Sequence, residues 1–191
     1  MYYDTNSNSF KLSTSSQNNI NFFTEGECPT VVVLGNGWNW WTPVKAMTLG
    51  ELETALGGNS LIINSQDGGF VRYENNTWSG TLDTIMPGQM YRILTTAVTE
   101  FVESGETATS SITLMQGYNW FGYTGAQPTA ISTALGNLTP TDGDTITAKN
   151  GDTATYSETT QSWVGELETL VPGHGYVYHS NASQSKTITL E

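Results

Sequence analysis

The chain has 191 residues with eighteen acidic and six basic side chains, a formal net charge of −12 and a charged fraction of 13%, against roughly 25% in an average domain. The basic residues (Lys11, Lys45, Arg72, Arg92, Lys149, Lys186) are scattered, which excludes nucleic acid as a partner and any anionic membrane recognised through a basic patch. No apolar run approaches the roughly 20 residues of a bilayer-spanning helix, so no membrane insertion is expected, and Met1-Tyr2-Tyr3-Asp4 lacks the basic start and apolar core of an export signal.

Residues 1–27 read either as an Asn/Ser-rich arm or as the last hairpin of a preceding unit. The second reading rests on Tyr2, Tyr3, Asp4, Thr5, Asn6 and Lys11, which run parallel to Val177, Tyr178, His179, Ser180, Asn181 and Lys186 at an offset of 175. The single cysteine, Cys28, has no partner for an internal disulfide or a metal site and is expected as a small buried apolar residue. A first unit, 28–105, opens with the β-branched run Thr30–Leu34, of strand length, and continues through Gly35-Asn36-Gly37 to Trp38-Asn39-Trp40-Trp41. Leu34, Gly37, Asn39 and Trp40 recur 80 residues later, within Ile112–Phe121 of a second unit, 106–191. Along a strand, Trp38 and Trp40 share one face and Asn39 and Trp41 the other, so one aromatic face is expected in the core. Asn39 and Asn119, each close to a glycine, are expected to hydrogen-bond nearby backbone.

A short helix follows. Thr48-Leu49-Gly50-Glu51 has capping-box spacing, Leu49, Leu52, Ala55 and Leu56 form a helical stripe, and Gly57-Gly58 supplies the stop. The weaker counterpart starts at Pro128 or Thr129, puts Ile131, Ala134 and Leu135 on one face and ends at Gly136. Strands Leu61–Asn64 and Phe70–Tyr73 flank Asp67-Gly68, and Thr145–Ala148 and Thr153–Tyr156 flank Asn150-Gly151. Both pairs are expected as tight hairpins with positive φ at both central residues. A second connection, of different length in the two units, leads to strands opening at Trp78 and Trp163, where length variation argues for a surface tip.

From there the two halves run in register. Trp78/Trp163, Gly80/Gly165, Leu82/Leu167, Thr84/Thr169, Pro87/Pro172, Gly88/Gly173 and Tyr91/Tyr176 are seven identities, each 85 residues apart without a gap, and such self-similarity reads as a tandem repeat. Pro-Gly in each copy fits a type II turn, and the whole Trp-to-Tyr stretch is expected to be the hairpin around which a unit folds. Final strands lie at Val98–Val102 and Thr187–Leu190, and 103–110 reads as a short flexible linker.

These motifs, taken as an ordered set over about residues 28–191, resemble the tandem repeats of large secreted or cell-surface proteins of gut anaerobic bacteria. The residues that carry the resemblance are Gly37-Trp38-Asn39-Trp40, Gly143-Asp144-Thr145-Ile146, the Trp-x-Gly-x-Leu strands at Trp78 and Trp163, and Pro172-Gly173-His174-Gly175-Tyr176. The first unit departs from the pattern, with Asn59-Ser60-Leu61-Ile62 at one step and Met90 in place of the last glycine. The resemblance implies an extracellular or cell-surface location, an export signal outside this chain, and accessory status as a monomer or part of a longer chain.

Chemistry is sparse. His174 and His179 have no flanking Ser, Cys or carboxylate arrangement, and His174 aligns with Gln89, so it reads as an exposed turn residue. Glu166 and Glu168 fall on one face of an expected strand, a spacing a glycosidase could use and simple alternation also produces. Asp142, Asp144 and Asp152 are weak candidates for Ca²⁺ ligands, in a region whose Asp and Gly residues also suit turns. No cofactor motif appears. Six Trp and nine Tyr leave rings for a binding surface, and Trp41 with its equivalent Phe121 is the candidate. The fold expected is mainly β, two tandem antiparallel units forming a sandwich or small open barrel, each with one short helix, with α+β as the alternative. The function expected is a non-catalytic module for adhesion or for binding a glycan or surface protein, with a structural spacer as the alternative and a glycoside hydrolase fragment a distant third.

Overall fold

The computed structural model describes residues 2–4, 9–11, 30–103 and 109–190; the expectations for Cys28, for the arm between 12 and 27 and for most of the linker lie outside the described residues. Strands β1 (Tyr2–Asp4) and β2 (Ser9–Lys11) pair antiparallel with each other and, among the described residues, with no other strand. The first unit contributes β3 (Thr30–Leu34), β4 (Gly37–Trp41), helix α1 (Leu49–Leu56), β5 (Ser60–Asn64), β6 (Phe70–Glu74), β7 (Thr77–Gly80), β8 (Tyr91–Thr95) and β9 (Thr99–Glu103). The second contributes β10 (Ser110–Leu114), β11 (Gly117–Gly122), β12 (Thr129–Ala130), helix α2 (Ile131–Ala134), β13 (Thr145–Ala148), β14 (Thr153–Ser157), β15 (Ser162–Gly165), β16 (Thr169–Leu170), β17 (Gly175–Ser180) and β18 (Lys186–Leu190).

The architecture is mainly β. Two open five-stranded antiparallel sheets have the orders β4-β8-β5-β6-β7 and β11-β17-β13-β14-β15, and each is accompanied by a two-stranded ribbon, β3-β9 or β10-β18. Aligned sequence positions occupy matching places in the two sheets. Each sheet buries one face under its ribbon and helix, giving two separate cores, one around Trp41, Leu52, Ile63, Tyr91 and Phe101, the other around Phe121, Ile131, Ile146, Leu170 and Tyr178. Among the described residues no helix is long and apolar enough to cross a membrane.

Local chemistry explains the elements. In α1 the Thr48 hydroxyl accepts from the Glu51 N–H at 3.2 Å, while a Glu51 carboxylate oxygen accepts from the Thr48 N–H at 2.7 Å, closing both ends of the capping box. Gly57 ends the helix at φ +51°, a conformation that favours glycine. Leu49, Leu52 and Leu56 are its buried stripe. The Asn39 amide exchanges two bonds with Gly35 and also donates to the Gly37 carbonyl, and Asn119 does the same with Met115 and Gly117, as expected of a short amide that stabilises a tight connection.

Two expectations are corrected. The Asp67-Gly68 and Asn150-Gly151 hairpins put only the glycine at positive φ, +90° and +98°, and the Gly68 and Gly151 N–H groups reach back to Ser65 and Ala148. This is a tight turn followed by a left-handed glycine, the usual three-residue hairpin solution. The turn with two positive central φ angles lies one connection later, at Asn75 and Asn76, φ 51° and 62°. Nor is the Trp-to-Tyr stretch a hairpin: β7 is the sheet edge, β8 lies three strands away, and the chain between them crosses the buried face. Leu82 and Ile85 pack beneath the first sheet, and Leu167 and Leu170 beneath the second. The crossing ends at the Pro-Gly turns, which form as predicted, with Gly88 and Gly173 at φ +84° and +78° and the Gln89 and His174 N–H groups donating to Met86 and Val171. The invariant Tyr has a reason too. The Tyr91 hydroxyl accepts from the Met86 N–H at 2.8 Å and the Tyr176 hydroxyl from the Val171 N–H at 2.7 Å, so each ring fastens its own turn.

Those turns join the units. The Thr42 N–H donates to the Gly173 carbonyl at 3.1 Å, and the Gly122 N–H to the Gly88 carbonyl at 2.6 Å. Thr42 aligns with Gly122 and Gly88 with Gly173, so the contact is a pseudo-two-fold exchange. Where aligned residues meet across it their sizes differ. A Cβ on Gly122 would lie 2.1 Å from the Thr42 Cβ, and one on Gly175 would lie 2.2 Å from the Met90 Cγ. The Met90 that breaks the repeat pattern thus fills the space its glycine counterpart leaves.

Candidate functional site

Each sheet has an outer face, and the aromatic residues of β4 and β11 are on it. Trp38 and Trp40 point away from the core beside Arg92 and Leu94 of β8, and Tyr118 and Trp120 point the same way beside Val177 and His179 of β17. The Arg92 guanidinium carbon sits 4.7 Å from the Trp38 ring centroid and 5.7 Å from that of Trp120. One cation therefore bridges an aromatic ring from each unit. Tyr118 lies 4.6 Å from the His179 ring. Trp38 is 36% and Tyr118 71% exposed, so flat rings on this face are open to a ligand. Thr145 and Thr147 continue it across β13, and Thr147 shares a hydroxyl hydrogen bond with Thr153 of β14.

The alternation of β4 and β11 holds, but with the opposite phase to the candidate site. Trp41 is 2% exposed and Phe121 is fully buried. Trp41 packs edge-on against Phe101 at 5.9 Å and against Tyr91 at 6.3 Å, and Phe121 packs against Tyr176 at 5.6 Å. Neither ring presents a face to solvent. Asn39, 7% exposed, and Trp41, at i+2, share the buried face.

The three aspartates do not form a metal site: among the described residues no group of three or more His, Cys, Asp and Glu side chains is placed to hold an ion. Asp144 is fully buried and its oxygens are occupied. It accepts from the Lys186 ammonium at 2.8 Å, the Tyr178 hydroxyl at 2.6 Å, and the Thr141 and Asn181 N–H groups at 2.8 and 2.7 Å. Burial pushes this carboxyl up, but Lys186 and the other donors together outweigh it and hold the pKa below the ordinary range. Burial and the adjacent carboxylate push the Tyr178 phenol strongly up. Asp142 accepts from the Glu158 N–H, and Asp152 from the Asn150 amide. The first unit has its own buried carboxylate, Glu103, which accepts from the Val44 and Lys45 N–H groups at 2.8 and 3.1 Å. Burial raises its pKa against the pull of those donors.

A cleft of about 610 Å³ opens between the units. One wall is β3 with Asn39, Trp40 and Trp41; the other is the β13–β14 turn with Glu166, Glu168 and the Pro172 turn. β15 ends at Gly165, so Glu166 and Glu168 lie in the crossing segment beyond the strand expected to hold them, exposed on either side of the inward Leu167. His174 is also exposed at the rim, where partial burial and the nearby Lys149 charge draw its pKa below the usual value. Comparison with protein-family models, curated proteins and solved structures returns no match.

Proposed function

We propose that the chain is a non-catalytic extracellular accessory module, two copies of one repeat unit, that binds glycan through the outer aromatic face. The observation that supports this most directly is the Trp38–Arg92–Trp120 stack with the exposed Tyr118 ring beside it. Flat rings offer area for the C–H faces of sugars, and Arg92, His179 and Thr147 provide polar groups at their edges. A glycan array probed with the full chain tests it: Trp38→Ala and Tyr118→Ala are expected to abolish a positive signal while leaving the melting temperature within about 2 °C of wild type. A blank array, or signals unchanged in both variants, removes this reading.

A specific observation favours the second reading, a structural spacer. The size-complementary contacts Met90/Gly175 and Thr42/Gly122 suit a joint whose task is fixing one unit on the next. A spacer predicts the blank array together with a single cooperative unfolding transition for both units.

A further inference from the structure

The pseudo-two-fold relation between the units has one unfilled position. On β11 the N–H and C=O groups of Tyr118, Trp120 and Gly122 that face away from β17 point at the first unit. The Gly122 N–H is taken by Gly88, and the Gln66 side-chain amide takes the next two groups, donating to the Tyr118 carbonyl at 2.8 Å and accepting from the Trp120 N–H at 2.5 Å. Gln66 thereby imitates a peptide group and caps a sheet edge, one way of protecting an unpaired strand. On β4 the equivalent groups belong to Trp38, Trp40 and Thr42. The Thr42 N–H is taken by Gly173, but the residue aligned with Gln66 is Lys149, which has three donors and no acceptor and cannot satisfy an N–H. Among the described residues the Trp38 carbonyl and Trp40 N–H find no partner across that edge.

This open edge borders the cleft. Trp40 and Lys149 both line it, as does the whole length of β3, whose only strand partner among the described residues is β9. Its volume of about 610 Å³ lies within the roughly 300–1,000 Å³ of ordinary ligand sites. Three carboxylates, Asp152, Glu166 and Glu168, stand around it against the Lys149 ammonium, in a chain of net charge −12. An exposed strand edge takes up extended peptide through main-chain hydrogen bonds, and the sign of the rim selects a cationic one.

We infer that the inter-unit cleft is a docking slot for an extended, cationic peptide segment of a partner protein, which pairs with the β4 edge at Trp38 and Trp40 where Gln66 pairs with β11. The slot uses the main-chain groups of Trp38 and Trp40 at the rim of the aromatic face, and peptide binding there does not require a bound glycan.

The test uses the full chain, amide hydrogen exchange by NMR, and titration with two synthetic peptides, KTQVKTQVKT and ETQVETQVET. In the free protein the Trp40 amide is expected to exchange at least about tenfold faster than that of Trp120; the basic peptide binds and slows it, and the acidic peptide binds about tenfold more weakly or not at all. Lys149→Gln separates slot filling from simple charge attraction. It makes the rim more acidic, so charge alone predicts tighter binding of the basic peptide; a glutamine that fills the slot as Gln66 does predicts binding weakened about tenfold and a protected Trp40 amide without ligand. The inference is overturned by a Trp40 amide already as protected as Trp120, by tighter basic-peptide binding to Lys149→Gln, by equal binding of both peptides, or by no binding at about millimolar peptide.

Discussion

Substituting Gly122 by Ala tests whether the joint between the units is as tight as its geometry requires. The new Cβ would lie 2.1 Å from the Thr42 Cβ, 2.3 Å from its Cγ2 and 2.5 Å from its Oγ1. Rotation about χ1 cannot move the Thr42 Cβ, so one strand end must withdraw. Withdrawal breaks the 2.6 Å bond from the Gly122 N–H to Gly88 and strains the 3.1 Å bond from Thr42 to Gly173. It also disturbs the 3.0 Å bond by which the Thr42 hydroxyl accepts from the Gly88 N–H. Overpacking costs about 1–3 kcal/mol and each of the three weakened hydrogen bonds adds about 1 kcal/mol, so the total is on the order of 4–6 kcal/mol. At about 2–4 °C per kcal/mol for a chain of this size, the melting temperature should fall by on the order of 10 °C. Thr42→Gly added to Gly122→Ala removes the obstructing Cβ and should recover about half of the loss; Thr42→Ala keeps that Cβ and should recover none. Calorimetry on the four proteins decides it. A Gly122→Ala melt within about 2 °C of wild type, or equal rescue by the two second substitutions, refutes the reasoning.

Tyr176→Phe leaves the Val171 N–H of the second Pro-Gly turn without its acceptor and should cost about 1–3 kcal/mol in urea unfolding; an unchanged midpoint would show that the ring alone holds the turn. Asp144→Asn leaves the 14% exposed Lys186 side chain without its counter-charge and should cost about 3 kcal/mol, read from the same assay. The wild-type contribution of Asp144 is fully present above the unfolded carboxyl pKa of about 3.9 and is lost as pH falls through its lower folded value. Glu103 acts with the opposite sign. Its folded pKa is raised, so between that value and about 4.3 the folded state binds more protons than the unfolded chain and stability increases as pH falls. Urea midpoints from about pH 6 to pH 2 should therefore show a shallower acid limb in Asp144→Asn than in wild type and no shallower one in Glu103→Gln, and the reverse pattern would contradict both assignments.

Much of the fold was legible because its signals are local. Thr48 and Glu51 at capping-box spacing, Leu49, Leu52 and Leu56 on one stripe, and Pro-Gly before a fixed Tyr each specify a few neighbouring dihedrals, and each forms where expected. The candidate binding surface was not legible in the same way. Period-2 alternation separates Trp38 and Trp40 from Asn39 and Trp41 but leaves open which pair faces the core, and the inward pair contains Trp41. Chain order favours one hairpin for Trp163 and Tyr176, because neighbouring strands most often pair; β15 and β17 are instead separated by two strands that come earlier in the chain.

The sequence by itself determined the two matched units, their turns, the capped helix and the mainly β character, since each depends on the conformational preferences of a few adjacent residues. Only the tertiary structure decided that Trp38 and Tyr118 rather than Trp41 meet solvent, that Met90 fills the space beside Gly175, and that Gln66 closes one strand edge whose twin finds no such cap among the described residues. Those outcomes depend on which surfaces are brought together across 50 or more residues of chain, as from Gln66 to Trp120. Such contacts are selected by the packing of whole sheets and leave no periodicity in the local sequence.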